Sequence, residues 1–118
     1  MELVAFLGED KQNWGQVTAL LNRMEYEKAV LVQNKNTEEF PVNSKCKIIK
    51  VDSAKPISEL TEELKSKLKV ELSKDFEVAL SLASGTGKEH MAIISALINV
   101  PVGIKLAVFT KEGINFLT

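Results

Sequence analysis

One stretch of this chain, residues 76–92, constrains its fold more than any other. It reads FEVALSLASGTGKEHMA, so an apolar run leads into a Ser-Gly-Thr-Gly-Lys turn and then into an apolar helical pattern. A strand that ends in glycines at the start of a helix leaves backbone N–H groups free, and the helix dipole adds partial positive charge. Because Lys88 adds a full charge at the same place, the turn predicts an anion site that suits phosphate.

The turn departs at two positions from the phosphate-binding loop of NTPases, whose pattern is G-x-x-x-x-G-K followed by Ser or Thr. Leu82 stands where the first glycine belongs, and Glu89 stands where a Mg²⁺-binding hydroxyl belongs. Both departures argue against an NTPase. Two interpretations of the turn stay open, an anion site or a plain strand–turn–helix connection that uses glycine for its geometry.

The length of 118 residues predicts a single domain over residues 1–118, and 45% apolar with 26% charged residues is typical of a globular protein. A net charge of −1 argues against duplex nucleic acid as the partner, because phosphate neutralisation needs a basic face. Arg23 is the single arginine. Any phosphate is therefore expected to rest on backbone amides and lysine rather than on a bidentate arginine clamp.

Other bulk features narrow the expected location and chemistry. Cys46 is the single cysteine, so no intrachain disulfide is expected, and it adjoins an apolar run as a core-side residue would. The start Met-Glu-Leu-Val lacks a basic region, and no apolar run is long enough to span a bilayer. We therefore expect a cytoplasmic protein with no membrane partner, no metal and no cofactor.

Apolar runs and helical stripes alternate along the chain. Continuous apolar runs predict strands, stripes at helical spacing predict helices, and two short runs around Lys-Glu-Gly predict a hairpin. The predicted strands cover residues 3–7, 29–32, 47–51, 76–82, 104–109 and 114–117, with helices near residues 14–24, 57–72 and 91–98 and a loop over residues 34–45. The predicted fold class is α/β, a Rossmann-like, mostly parallel central sheet flanked by helices, with a C-terminal β-hairpin.

In sheets of this kind the ligand sits beyond the carboxyl ends of the strands, where the strand order reverses. The common order 3-2-1-4 makes the first and fourth strands neighbours, so the polar loops that follow them should face each other. The residues predicted to bind a ligand are Gly8, Glu9, Asp10, Gln12, Asn13, Trp14, Ser84, Gly85, Thr86, Gly87 and Lys88.

Individual residues in these loops allow more than one role. A dinucleotide site needs G-x-G-x-x-G after the first strand, whereas Gly8 is followed by Glu9 and Asp10, so an NAD enzyme is not expected. The two carboxylates could bind a metal, hydrogen-bond ribose hydroxyls or cap a helix. Trp14 fits a core position and a base-stacking position equally well. His90 is expected to cap the helix start rather than act as a base, and a role near a phosphate stays open.

The order of elements resembles the CRISPR-associated Rossmann fold family, known as CARF domains. The resemblance covers nearly the whole chain and rests on residues 3–14, on Ile-Ile-Lys-Val-Asp at residues 48–52 and above all on residues 82–92. Family members often carry a Gly-Gly-Thr-Lys-like turn in the segment that corresponds to residues 82–92. Here the turn is Ser-Gly-Thr-Gly-Lys, so Lys88 lies one step later, and residues 34–45 have lost most of the second crossover helix.

The resemblance implies a homodimer that binds a cyclic oligoadenylate messenger in antiviral CRISPR defence. A small regulatory domain that senses or sequesters the messenger is the first hypothesis. The second is a ring nuclease that cleaves the messenger without metal, with Lys88 and His90 as candidate catalytic residues and the amides of residues 85–87 as donors to the developing charge. The third is a structural or interaction subunit with no ligand, in which the glycine turn is only architecture.

Overall fold

The computed structural model describes residues 1–72 and 76–117 and confirms the predicted α/β class. Its elements are β1 (Glu2–Leu7), a 3-10 turn (Lys11–Asn13), α1 (Trp14–Arg23), β2 (Ala29–Asn34), β3 (Cys46–Val51), α2 (Ile57–Glu71), β4 (Glu77–Ser81), α3 (Gly87–Asn99), β5 (Gly103–Thr110) and β6 (Gly113–Leu117). The strand order is β3-β2-β1-β4-β5-β6, with β6 antiparallel to β5 and the other pairs parallel. The expected neighbourhood of the first and fourth strands is thereby confirmed.

The centre of the sheet is covered on both faces, as the continuous apolar runs predict. Side chains alternate between the faces of a strand, so Val4 and Phe6 of β1 join the core beneath α2 and α3, while Leu3, Ala5 and Leu7 join the core beneath α1. All five of these residues are fully buried. The two cores fix the register of β1, because a slip by one residue would exchange its two apolar faces.

The connection from β2 to β3 is a loop rather than a crossover helix, as predicted. Buried Gln33 fixes this loop, because its Nε2 donates to the carbonyl of Glu38 at 3.0 Å and its Oε1 accepts from the amide of Phe40 at 3.1 Å. Phe40 then packs edge-on against Trp14, with 5.3 Å between ring centroids. One aromatic side chain thus contributes the apolar cover that a helix would otherwise supply.

α3 begins at Gly87, four residues before the helix that the apolar pattern predicts. The cause is a capping box, in which Thr86 Oγ1 accepts from the amide of Glu89 at 3.2 Å and Glu89 Oε1 accepts from the amide of Thr86 at 2.8 Å. This motif is written in the sequence as Thr-x-x-Glu. An apolar periodicity cannot detect it, because the first turn of the helix is polar.

The helices bury one side each. α2, the longest described helix at 15 residues, buries Leu60, Leu64 and Leu68 at a spacing of four. α3 buries four apolar side chains and leaves Met91 and Ile98 65% and 60% exposed. Among residues 1–72 and 76–117, no helix has the length and apolar character that a membrane crossing requires.

Candidate functional site

The loops that follow β1 and β4 touch each other through their backbones. The amide of Gly8 donates to Ser84 Oγ at 2.8 Å. A Cβ at position 8 would lie 2.9 Å from both the N and the Cα of Gly85, closer than such atoms approach in folded proteins. Glycine at position 8 therefore allows the close approach, and the expectation that the two loops face each other is confirmed.

The second loop turns sharply at Gly85, whose φ of +102° favours glycine. His90 fixes this turn from behind, because its Nε2 lies 2.7 Å from the carbonyl oxygen of Ser84. A carbonyl oxygen can only accept, so Nε2 carries the proton. His90 thus supports the loop. It was expected to cap the start of the helix, but the cap of α3 is formed by Thr86 and Glu89 instead.

The capping box leaves part of the start of α3 unsatisfied. Its two bonds occupy the amides of Thr86 and Glu89. The amides of Gly87 and Lys88 precede the first intrahelical bond and have no hydrogen-bond partner in the part of the chain that the structure describes. Two N–H groups and the positive end of the helix dipole therefore stay available to a ligand.

A third loop, between β3 and α2, closes the site from the side. Lys88 Nζ donates to the carbonyl oxygen of Ser53 at 2.9 Å, and the amide of Ser53 donates to Asn34 Oδ1 at 3.0 Å. Asn34 and Ser53 were not among the residues predicted to bind a ligand. The signal was present, since Asn34 is the last residue of β2 and Ser53 follows the carboxyl end of β3.

Together the three loops enclose an open cleft of about 680 Å³, a size within the usual range of small-ligand sites. Its lining residues are Gly8, Glu9, Asp10, Asn13, Asn34, Ser53, Ala54, Gly85, Thr86, Lys88 and Glu89. Seven of these were predicted to bind a ligand. The predicted residues Gln12, Trp14 and Ser84 do not line the cleft, and Gly87 is itself absent from the lining although its two neighbours, Thr86 and Lys88, belong to it.

Trp14 belongs to the core, which decides between its two possible roles. Its side chain is only 9% exposed, and its Nε1 donates to the carbonyl oxygen of Gly8 at 2.8 Å. The ring packs against Phe40 on its other side. Trp14 therefore holds the first loop in place from beneath and has no free face on which a base could stack.

The cleft carries more negative than positive side chains. Lys88 is the single cationic residue among its lining residues, and Glu9, Asp10 and Glu89 are the carboxylates. Asp10 caps the 3-10 turn by accepting from the amide of Gln12 at 3.0 Å, which is one of the roles expected for it. Glu9 Oε1 lies 3.5 Å from Asn34 Nδ2 and is otherwise exposed at the rim.

Two acidic side chains support the third loop. The amide of Ala54, followed by the ammonium group of Lys35, lowers the pKa of Asp52 despite some desolvation. Partial burial raises the pKa of Glu63, but hydrogen bonds from Lys67 and from the amide of Asp52 outweigh this and lower the pKa overall. Both side chains are therefore ionised at neutral pH and hold the loop through charge-assisted hydrogen bonds.

Within the two described segments, no group of three or more His, Cys, Asp or Glu side chains is arranged to hold a metal ion. Comparison of the chain with models of known protein families gives no match, and comparison with curated proteins gives none either. The resemblance to CARF domains accordingly stays a prediction from the sequence.

Proposed function

We propose that this protein is a small nucleotide-binding regulatory domain whose cleft holds a phosphate group at the start of α3. The observation that carries the proposal is the pair of unpartnered amides at Gly87 and Lys88, beside the Lys88 ammonium group. They lie at the carboxyl end of β4, next to β1, where the strand order reverses. Open α/β sheets bind their ligands at this place.

The carboxylates favour a nucleotide over a free inorganic anion. Glu9 and Asp10 at the rim repel phosphate, yet they accept hydrogen bonds from hydroxyl and amino groups. A nucleotide presents both kinds of group, since its phosphate suits the start of α3 and its ribose hydroxyls or base amino group suit the carboxylates. Inorganic phosphate suits the start of α3 but has no ribose or base group for the carboxylates, which repel it.

We take the ligand to be a cyclic oligoadenylate that the domain senses or sequesters in CRISPR defence, as the family resemblance implies. One lysine and two amides suit one phosphate group, so the several phosphates of a cyclic ligand call for a second copy of the chain. Met91 lies about one helical turn beyond Lys88 on α3, and Ile98 lies two turns further. Both side chains are exposed and offer an apolar surface to the second copy of the chain. The homodimer is therefore part of the proposal.

Calorimetric titration with inorganic phosphate, AMP, linear tetra-adenylate and cyclic tetra-adenylate tests the proposal. We expect cyclic tetra-adenylate to bind most tightly and inorganic phosphate most weakly. Absence of binding by every nucleotide would overturn the proposal and favour a structural subunit.

Chromatography of the titrated samples separates binding from cleavage. Intact cyclic ligand supports a sensing or sequestering domain. Conversion to linear products would replace that role with a ring nuclease while keeping the site. No specific contact favours the nuclease, because His90 Nε2 is occupied by the carbonyl of Ser84.

A further inference from the structure

The two edge strands of the sheet differ in how their outward backbone groups are satisfied. At β3, Lys67 Nζ donates to the carbonyl oxygen of Lys50 at 2.6 Å, and the amide of Asp52 donates to Glu63 Oε1 at 3.3 Å. Both side chains come from α2. Charged side chains placed on an edge in this way block pairing with another strand.

β6, the opposite edge, has no such protection. Thr110 and Gly113 pair across a two-residue turn, so the hydrogen bonds to β5 come from Gly113, Asn115 and Leu117 in alternation. The N–H and C=O groups of Ile114 and Phe116 consequently point away from the sheet. They have no backbone or side-chain partner among the described residues.

The position of Gln16 confirms this alternation independently. Its side chain donates to the carbonyl oxygen of Phe109 at 2.9 Å and accepts from the amide of Phe109 at 3.1 Å, on the side of β5 that faces away from β6. Phe109 is the partner of Ile114 in the register. Phe109 and Ile114 therefore form no backbone hydrogen bonds with each other across β5 and β6, and the N–H and C=O of Ile114 point away from the sheet.

We propose that β6 pairs antiparallel with β6 of a second copy of this chain, with Asn115 opposite Asn115 on the two-fold axis. In this register Ile114 lies opposite Phe116 of the second copy, and the reverse pair is equivalent by symmetry. Each pair exchanges two N–H···O=C bonds, so the outward groups of Ile114 and Phe116 are all satisfied in both copies. The edge is thus complementary to itself.

The side chains of β6 agree with this pairing. The strand reads Gly-Ile-Asn-Phe-Leu, so pairing with itself places no like charges opposite each other. Phe116 is 40% exposed and would lie beside Ile114 of the second copy, a favourable aromatic–β-branched pair. Leu117, 54% exposed, would lie over Gly113 of the second copy, which has no side chain to obstruct it.

This contact is separate from the binding cleft. β6 runs antiparallel to β5 and hence to β1 and β4, so the joined sheet would carry its two clefts at opposite ends. Pairing through β6 therefore cannot enclose one ligand between two clefts, and its failure would leave the proposed function untouched. A strand of five residues buries little area, so we expect reversible, weak association.

A charge exchange at position 115 tests the pairing. Asn115→Lys alone and Asn115→Asp alone each place like charges on the two-fold axis, and each should weaken self-association by up to about fivefold relative to the natural chain. An equal mixture of the two variants should form a heterodimer at least as readily as the natural chain dimerises. Sedimentation equilibrium over a dilution series measures all four samples.

Two controls make the outcome decisive. Asn115 donates to Thr110 Oγ1 at 2.6 Å, and both variants change this bond, so a thermal melt of each variant first establishes that it is folded at the temperature of the association measurement. Val70→Lys alters an exposed side chain of α2, which belongs neither to β6 nor to the exposed side of α3, and should leave self-association unchanged. Monomers of the natural chain at every concentration, Asn115 variants that associate normally, a mixture that does not recover, or an equal loss of association in Val70→Lys would each overturn the proposal.

Discussion

The two halves of the Ser-Gly-Thr-Gly-Lys turn differ in their surroundings. The first half is fastened, since Ser84 Oγ accepts from Gly8 and Gly85 lies against the backbone of Gly8. The second half is open, since a Cβ at Gly87 would meet nothing within 4 Å and the amides of Gly87 and Lys88 have no partner in the described segments. One short motif therefore contains an architectural part and a part that is available to a ligand.

This difference shows why a glycine-rich turn can support two interpretations from sequence alone. Architecture explains the glycine at position 85, because its φ is positive and Phe6, Glu89 and His90 surround it. Architecture does not explain the free amides at the start of α3. The structural interpretation of the turn fits its first half, and the interpretation as an anion site concerns its second half. Each half can be tested separately by substitution.

The largest effect is expected where the two loops touch. Gly8→Ala would place a Cβ 2.9 Å from backbone atoms of Gly85, and overpacking of this kind should lower the free energy of unfolding by about 1–3 kcal/mol. Chemical denaturation measures the change. Gly15→Ala is the matched control, because a Cβ there meets nothing within 4 Å and alanine should stabilise α1 by up to about 1 kcal/mol. Equal stability of the two variants would contradict the close contact.

The next effect concerns the hydrogen bond that fastens the turn. Ser84→Ala leaves the buried amide of Gly8 without its acceptor, which should cost about 1–2 kcal/mol of stability. Denaturant melts of Ser84→Ala and of Ser44→Ala, a change at an exposed loop residue, provide the comparison. If both variants unfold at the same denaturant concentration, Ser84 does not fasten the loops.

A smaller effect is expected at the third loop, where Glu63 accepts from the amide of Asp52. Its pKa is lowered in the folded state, so its stabilising contribution is complete above the ordinary carboxyl pKa and is lost as pH falls through the folded value. Glu63→Gln should therefore cost under about 1 kcal/mol at pH 7 and progressively less in acid. Carboxyl groups titrate between roughly pH 6 and pH 3. If the stability difference between Glu63→Gln and the natural chain grows as the pH falls through this interval, the expected direction of the effect is wrong.

The smallest effect on stability is expected in the open half of the turn. Gly87→Ala adds a methyl group where nothing lies within 4 Å, and alanine is the better helix former by up to about 1 kcal/mol. The variant should melt at or slightly above the temperature of the natural chain. A marked drop in melting temperature would mean that Gly87 is architectural like Gly85, and the contrast between the two halves would fail.

The sequence was sufficient for the parts of the fold that depend on local pattern. Continuous apolar runs in residues 3–7 and 29–32 predicted the central strands, and the two polar loops beside β1 and β4 were predicted to meet. The third loop was not predicted as part of the site, because its contact depends on how far the side chain of Lys88 reaches across to Ser53. Trp14 could not be placed from spacing alone, because a residue at the start of a helix can point towards the core or the cleft.

Paired measurements on Lys88→Ala test the central claim, that the open half of the turn holds the phosphate of a nucleotide, most directly. Affinity for cyclic tetra-adenylate should fall by about 1–3 kcal/mol, the scale of a lost charge-assisted hydrogen bond. Stability should change by less than about 1 kcal/mol, since Lys88 is only partly buried and donates to one carbonyl. Lys69→Ala, the same change at an exposed position of α2, should leave both quantities unchanged. If Lys88→Ala binds the ligand as tightly as the natural chain does, the claim is wrong.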